Sequence, residues 1–201
     1  NEVADMLPNI GARNDMGCYI HPVQVENVAA LKKWNLTVKH RTAQGDRRDI
    51  SLRDFVLMDW RRVKELRYCS GPGMYKTRFI WGGTGKPESI NVEVYLCLGR
   101  VQDIASVRVN GIDLGHKIVP PYDFEITEVL QPGENTIEVE VTGTLQNRLI
   151  GYGKEHGSPW NAYAKRTLMP VGLLGPVSVE LRTYKGQYLV KENQESRMMR
   201  K

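Results

Sequence analysis

The run between residues 96 and 127 constrains the fold of this 201-residue chain more than any other segment. Residues 106–110 alternate between polar side chains and valine, the pattern of a strand with one buried face. The pair Asn110-Gly111 tolerates positive φ angles, as a two-residue type I′ hairpin turn requires. We therefore predict a hairpin whose return strand begins at Ile112 and ends at Gly115.

Short strands are predicted along much of the remaining chain. Residues 136–142 alternate strictly after a Pro-Gly turn at residues 131–135. Further apolar runs bounded by Gly, Pro or polar residues lie at residues 34–38, 75–81, 90–98, 122–127 and 177–184. Because the sequence shows many short strands and no long helical pattern, it predicts an all-β sandwich. Jelly-roll and immunoglobulin-like connections both fit the strand pattern.

The chain is long enough for one sizeable core. We predict a connecting segment or the remnant of a preceding domain at residues 1–30, a β-sandwich at 31–185 and a polar tail at 186–201. Because the chain begins at Asn1 rather than Met, we expect a processed chain or an excised fragment. The net charge is +5, but basic and acidic residues are interleaved, so we expect no nucleic-acid partner. No apolar run approaches the roughly 20 residues that span a bilayer, so we expect no membrane partner.

A series of short motifs follows a recognisable order between residues 34 and 182. The motifs are Trp60, Tyr68-Cys69-Ser70-Gly71, Leu96-Cys97-Leu98-Gly99-Arg100-Val101, Val109-Asn110-Gly111, Pro120-Pro121-Tyr122, Gly133-Glu134-Asn135, Asn147-Arg148-Leu149-Ile150-Gly151 and Gly172-Leu173-Leu174-Gly175-Pro176-Val177. Together they resemble the galactose-binding-like β-sandwich, or sugar-binding domain, of glycoside hydrolases. The resemblance is strongest to the C-terminal domain of the α-L-rhamnosidase-like family 106 enzymes.

This resemblance carries several expectations. It implies a jelly-roll β-sandwich of the galactose-binding type. It implies two partners, a carbohydrate and the catalytic domain of the same parent chain. A parent enzyme that degrades polysaccharides implies an extracellular or periplasmic location. The function expected from it is a non-catalytic accessory domain that supports the catalytic domain or contributes to glycan binding.

The resemblance also implies that the catalytic carboxylates lie in a separate barrel domain. Glycoside hydrolysis needs two carboxyl groups held roughly 5 to 9.5 Å apart. The candidates in this chain are Asp103, Asp113, Asp123, Glu125 and Glu155. Asp103 fits a turn position that caps backbone N–H groups, and the pair Asp123 and Glu125 fits a solvent-facing strand. We therefore expect no catalytic residue here, although an independent glycosidase is a third alternative.

Metal and cofactor sites are not expected. The three cysteines, Cys18, Cys69 and Cys97, are too widely spaced for a zinc knuckle or a redox pair. The four histidines lack a metal-binding spacing: His21, His40, His116 and His156. Related sandwiches can hold a structural calcium ion, but no loop here is rich enough in aspartate to indicate one.

The best candidate for a functional surface is residues 151–170, which we interpret as a long loop. Tyr152, Trp160 and Tyr163 present flat aromatic faces suited to stacking on a sugar, and Asn161 offers a partner for hydroxyl groups. The alternative is that Trp160 closes the sandwich end or packs on a neighbouring domain, which would make the chain a purely structural interdomain module. Arg148 fits either a substrate-facing role or an ion pair with a carboxylate such as Asp103, and we favour the bracing role.

Overall fold

A computed structural model describes residues 22, 24–41, 47–83 and 92–184 of the chain, which form twelve strands and two α-helices. The strands are β1 (Gln24–Ala30), β2 (Lys33–Arg41), β3 (Arg47–Val56), β4 (Gly73–Trp81), β5 (Val92–Cys97), β6 (Arg100–Gln102), β7 (Ile104–Val109), β8 (Ile112–Lys117), β9 (Asp123–Glu125), β10 (Gly133–Thr142), β11 (Gly172–Gly175) and β12 (Ser178–Thr183). The helices are α1 (Gln146–His156) and α2 (Asn161–Ala164). No helix among these residues is long and apolar enough to cross a bilayer.

The strands form two main antiparallel sheets. One has the order β3-β2-β4-β10-β7-β8, the other the order β1-β12-β5-β9, and β11 pairs with β6 separately. Neighbouring strands are often distant in sequence, as in the predicted jelly roll. Buried side chains from both main sheets join one hydrophobic core. The prediction of an all-β sandwich is therefore confirmed.

The alternation read from the sequence determines which residues enter the core. On β10, Ile137, Val139 and Val141 are fully buried, while the intervening residues are partly exposed. Such alternation places every second side chain on the core face of a strand. The same rule buries Val107 and Val109 on β7.

The predicted Asn110-Gly111 turn is present, with φ angles of 53° and 82°. The Asn110 side chain holds the turn in place through two hydrogen bonds to other segments. Its amide donates to Val129 O at 2.8 Å, and its oxygen accepts from Thr136 N at 2.9 Å. Strand β8 continues to Lys117, so the predicted end of the return strand at Gly115 is wrong. Gly115, with a φ of 85°, lies within the strand at an exposed position.

The sandwich begins earlier than the predicted boundary at residue 31. Strand β1 pairs with β12 from Gln24↔Thr183 to Ala30↔Ser178 and is an edge strand of its sheet. Its residues are exposed apart from the half-buried Ala29, so the strand has almost no hydrophobic alternation for a sequence pattern to detect. The predicted connecting segment before residue 22 and the predicted tail at 186–201 lie outside the described residues.

A buried polar contact joins three separate parts of the core. The indole nitrogen of Trp60 donates to the Tyr75 hydroxyl at 2.6 Å, and the backbone N–H of Leu173 donates to the same oxygen at 3.0 Å. Trp60, Tyr75 and Leu173 are all fully buried. A Cβ atom at Gly73 or Gly172 would lie 2.5 Å from the Trp60 ring, so glycine is required at both positions.

A second polar cluster lies on the outer face of the four-stranded sheet. The Arg182 guanidinium contacts Asp123 at 2.7 Å and Glu180 at 2.9 Å, and its side chain is only 13% exposed. It also contacts the sulfur of Cys97, the buried strand cysteine, at 3.0 Å. Burial opposes ionisation of Glu180, but hydrogen bonds led by those of Arg182 outweigh it and lower the pKa of this carboxyl. Arg182, Asp123 and Glu180 therefore form an ion-pair network on this outer face.

We expect Tyr75→Phe to lower the free energy of unfolding by about 2–4 kcal/mol, because two buried donors lose their acceptor. Urea denaturation measures this change. Tyr163→Phe is the matched control, since Tyr163 lies half-exposed on α2, and it should change stability by less than about 0.5 kcal/mol. Equal effects of the two substitutions would contradict a structural role for the Tyr75 hydroxyl.

We expect acid to destabilise the chain partly through Glu180. A carboxyl whose pKa is lower in the folded state stabilises the fold above its unfolded value, here 4.5, and this contribution is lost as the pH falls through the folded value. Denaturation at a series of pH values should therefore give a shallower decline below pH 4.5 for Glu180→Gln. Glu65→Gln, at an exposed position, is the control; identical slopes for wild type and Glu180→Gln would refute the assignment.

Candidate functional site

The predicted loop at residues 151–170 is wrong in its local structure, because half of it belongs to the two helices. Helix α1 contains Gly151 and Gly153, and glycine disfavours helices. Both glycines serve close packing: a Cβ atom at Gly151 would lie 2.8 Å from Tyr68, and one at Gly153 would lie 2.5 Å from the carbonyl oxygen of Trp160. The same two glycines therefore weaken the helical sequence pattern and allow α1 to pack closely against its neighbours.

The aromatic residues predicted to bind sugar lie on this pair of helices or directly beside it, with Trp160 immediately before α2. The rings of Tyr152 and Trp160 meet edge to face with centroids 5.6 Å apart, and both residues are half-buried. Tyr163 instead stacks against the Arg166 guanidinium at 4.9 Å, and Asn161 is exposed. The structure thus brings Tyr152 and Trp160 into contact and leaves Asn161 on the neighbouring surface.

The helical pair is anchored by a residue whose role sequence analysis missed. Asn147 is almost fully buried, and its side chain exchanges two hydrogen bonds with the backbone of Met169, at 2.7 and 2.8 Å. Gln146 donates to Thr167 O at 2.8 Å. The start of α1 is therefore fixed to the chain that follows α2, which gives the aromatic residues a rigid support.

Arg148 braces the fold, but not through the carboxylate suggested by the sequence. Its guanidinium donates to the carbonyl oxygen of Gly71 at 3.1 Å. Asp103 accepts instead from Thr144 N at 3.2 Å and from Gln102 at 2.7 Å, in the backbone-capping role expected for it. The Nε atom of Arg148 is buried and has no hydrogen-bond partner in the described part of the chain.

A surface pocket of about 330 Å³ lies beside Arg148. Its lining residues come from β2, β3, the turn after Cys69, the end of β10 and α1, and they are Lys39, His40, Arg47, Ser70, Gly71, Pro72, Thr142, Gly143, Leu145 and Arg148. The sequence analysis considered His40 only as a possible metal ligand and did not predict this pocket. Residues from β2 and α1 are about a hundred positions apart, so no local pattern could join them.

Burial, more than the charges around this pocket, shifts the pKa values of two neighbouring residues. Burial, followed by the positive charges of Arg148 and Arg48, lowers the pKa of His40. The Cys69 thiol lies 3.5 Å from His40 Nδ1, and burial raises the pKa of this thiol to about 11. His40 is therefore expected to be neutral at pH 7, and Cys69 to be a protonated thiol.

The carboxylates considered for hydrolysis have other contacts. Asp113 accepts from Gly115 N at 2.7 Å, and Glu155 lies 3.5 Å from His156. The interpretation of Asp123 as a solvent-facing strand residue is wrong, because it forms the half-buried ion pair with Arg182. A general acid needs a raised pKa, whereas a backbone hydrogen bond from Gly115 lowers the pKa of Asp113. Within the described ranges, no group of three His, Cys, Asp or Glu residues is placed to hold a metal ion.

The chain is similar to parts of larger enzymes, although no family model matches it. It is 35% identical over 97 residues, 47% of this chain and 8% of the relative, to a Formosa agariphila protein named "Putative beta-glucuronidase". A rhamnosidase structure from Novosphingobium sp. PP1Y superposes with a TM-score of 0.67 at 29% identity, covering 82% of this chain and 16% of that one. A β-glucuronidase from Ruminococcus gnavus gives a TM-score of 0.50 at 15% identity, covering 82% and 31%, and shows the fold alone.

The coverage values define what these similarities mean. The rhamnosidase match covers 82% of this chain and the curated match 47%, yet the chain spans only 16% of the rhamnosidase chain and 8% of the curated relative. The resemblance indicated by the motifs is confirmed. The chain is a small all-β domain that fits the sugar-binding-like β-sandwich of glycoside hydrolases.

Proposed function

We propose that this chain is a non-catalytic accessory domain of a larger glycoside hydrolase and that it contributes contacts to glycan binding. The small share of the related enzymes that it spans supports an accessory role. The engaged carboxylates Asp103, Asp113 and Asp123 support the absence of catalysis within this domain. Under this proposal the parent enzyme hydrolyses O-glycosidic bonds, and it works outside the cell or in the periplasm.

The observation that carries the glycan-binding part is the aromatic pair on the two helices. Tyr152 and Trp160 are half-buried, so each residue keeps accessible surface while the contact between the rings fixes their positions. Aromatic rings combine apolar surface with a polar group, and the C–H face of a pyranose suits such a surface. Asn161 beside the pair supplies both a donor and an acceptor for sugar hydroxyl groups.

The same surface needs little rearrangement to bind. The two hydrogen bonds exchanged between Asn147 and Met169 and the close approach at Gly153 hold the helices together before a ligand arrives. A preformed site avoids the entropic loss of ordering its side chains on binding. We therefore propose Tyr152, Trp160 and Asn161 as the principal contacts, with Tyr163 on the flank.

A second candidate function, a structural interdomain module, is favoured by a different surface. Ile118 and Val119, in the loop between β8 and β9, are 63% and 64% exposed. Ile118 also borders a surface pocket of about 280 Å³ with Pro120 and Tyr122. Adjacent exposed apolar side chains often mark a contact with another protein surface. In this alternative the loop packs on the catalytic domain.

We expect Trp160→Ala to weaken binding of oligosaccharides by about tenfold or more, because the sugar loses its aromatic platform. A glycan array followed by calorimetry with the best ligand checks this. Asn161→Ala is a second variant, at an exposed position that the fold does not need, and it should also weaken binding. Ile80→Ala, exposed on β4, is the control. Wild-type affinity in both site variants, or no glycan bound by the wild type, would contradict the proposed site.

The structural module predicts a different result. Ile118→Ser with Val119→Ser should leave the melting temperature of this chain unchanged, because both side chains are exposed. The same pair should lower the melting temperature of the parent enzyme by a few degrees, about 1–2 kcal/mol, if the loop packs on the catalytic domain. Ile80→Ser is the control in both proteins. An unchanged parent enzyme would exclude this loop as the interdomain contact.

A further inference from the structure

The pocket beside Arg148 has an unusual concentration of positive charge. The pocket is lined by Lys39, Arg47 and Arg148. Arg48 is close enough to lower the pKa of His40 further than burial alone does. No aspartate or glutamate is among the described residues that line the pocket. The pocket is therefore a site of positive potential at one end of the sandwich.

The acidic residues near the pocket in the described part of the chain neutralise little of this charge. Asp49 lies 3.9 Å from Arg47, but both side chains are about half exposed or more, at 49% and 66%. Solvent screens an exposed pair at such a distance, so it provides little stabilisation. Glu155 opposes the lowering of the His40 pKa, but its carboxylate lies 3.5 Å from His156 and does not line the pocket. The pocket therefore keeps a net attraction for an anion.

Arg148 provides the most specific recognition element. Its guanidinium has five donors, of which one is used by Gly71 O at 3.1 Å, while the buried Nε atom has no partner within the described residues. An unsatisfied buried donor is unfavourable, and a planar carboxylate is the group that satisfies an Arg fork with two parallel hydrogen bonds. The unpartnered Nε donor and the preference of a guanidinium for planar anions therefore indicate an oxyanion as the ligand.

The size and remaining lining indicate more than a bare ion. A volume of about 330 Å³ is within the range of sites for small organic ligands. Ser70 and Thr142 offer hydroxyl groups, and Pro72 and Leu145 offer apolar surface. A sugar ring with one carboxylate matches this mixture of positive, polar and apolar groups.

We propose that this pocket binds a uronic acid residue of a glycan, with Arg148 receiving the carboxylate and with Lys39 and Arg47 adding charge. The inference goes beyond the proposed function, because it names an anionic sugar and a second site. It shares with that function only the premise that the ligand is a glycan. Trp160 is not among the pocket residues, so the two sites can fail separately.

The test is a calorimetric or NMR titration of this chain with D-glucuronate and with D-glucuronamide, its uncharged analogue. We expect glucuronate to bind at least about tenfold more tightly, since charge-assisted hydrogen bonds carry the difference. Its affinity should fall as salt is added. Arg148→Gln and the double variant Lys39→Gln with Arg47→Gln should each reduce this affinity about tenfold or more.

Matched controls separate a local effect from a general one. Lys32→Gln with Arg53→Gln removes the same two charges at exposed positions outside the pocket, and it should leave glucuronate affinity within about twofold. Because Arg148 also contacts Gly71, circular dichroism must show that Arg148→Gln folds. The Lys39 and Arg47 double variant tests the pocket without altering that contact.

Several independent results would overturn the inference. These are no glucuronate binding, equal binding of the amide, equal losses in the pocket and control double variants, and inorganic sulfate binding as tightly as glucuronate. Loss of glucuronate binding in Trp160→Ala but not in Arg148→Gln would also overturn it while supporting the proposed aromatic site. Conversely, glucuronate binding that depends on Arg148, with no effect of Trp160→Ala on any glycan, would support the pocket and reject the aromatic site.

Discussion

The hydroxyl group of Tyr75 is the acceptor on which the centre of this structure depends. It receives the Trp60 indole N–H from the short helical turn after β3 and the Leu173 N–H from β11, while Tyr75 itself lies on β4. Both donors are buried, so neither can turn to water if the hydroxyl moves. Gly73 and Gly172 leave the room that the Trp60 ring occupies. A single oxygen therefore couples the six-stranded sheet to two segments outside it.

Several strands could be predicted because a local sequence pattern marks them. On β7 and β10, the alternation of apolar and polar residues indicates which side chains face the core, and Asn110-Gly111 indicates the position of the hairpin turn. Strand β1 has no such sequence pattern. It is held by its backbone pairing with β12 and buries almost nothing, so the sequence prediction assigned its residues to a connecting segment.

The candidate sites were predicted less well, for two physical reasons. Helix α1 was missed because Gly151 and Gly153, which lower helix propensity, are retained for contacts with Tyr68 and Trp160 that exist only in the folded state. The basic pocket was missed because its walls come from Lys39, Arg47 and Arg148, which only the tertiary fold brings together. Tyr152, Trp160 and Arg148 were nevertheless chosen for their chemistry alone, and the structure places all three on or beside the same helical pair.

The pairing of β1 with β12 has a consequence for how such a domain sits in a longer chain. Gln24 and Thr183 are register partners, so the first and last strands that the structure describes begin and end at neighbouring points of the sandwich. A module with adjacent entry and exit can be placed within a loop of another domain without separating the two ends of that loop. Strand β1, which buries almost no hydrophobic surface, thus suits the domain to insertion into another domain, because its backbone pairing with β12 brings the two ends of the sandwich together.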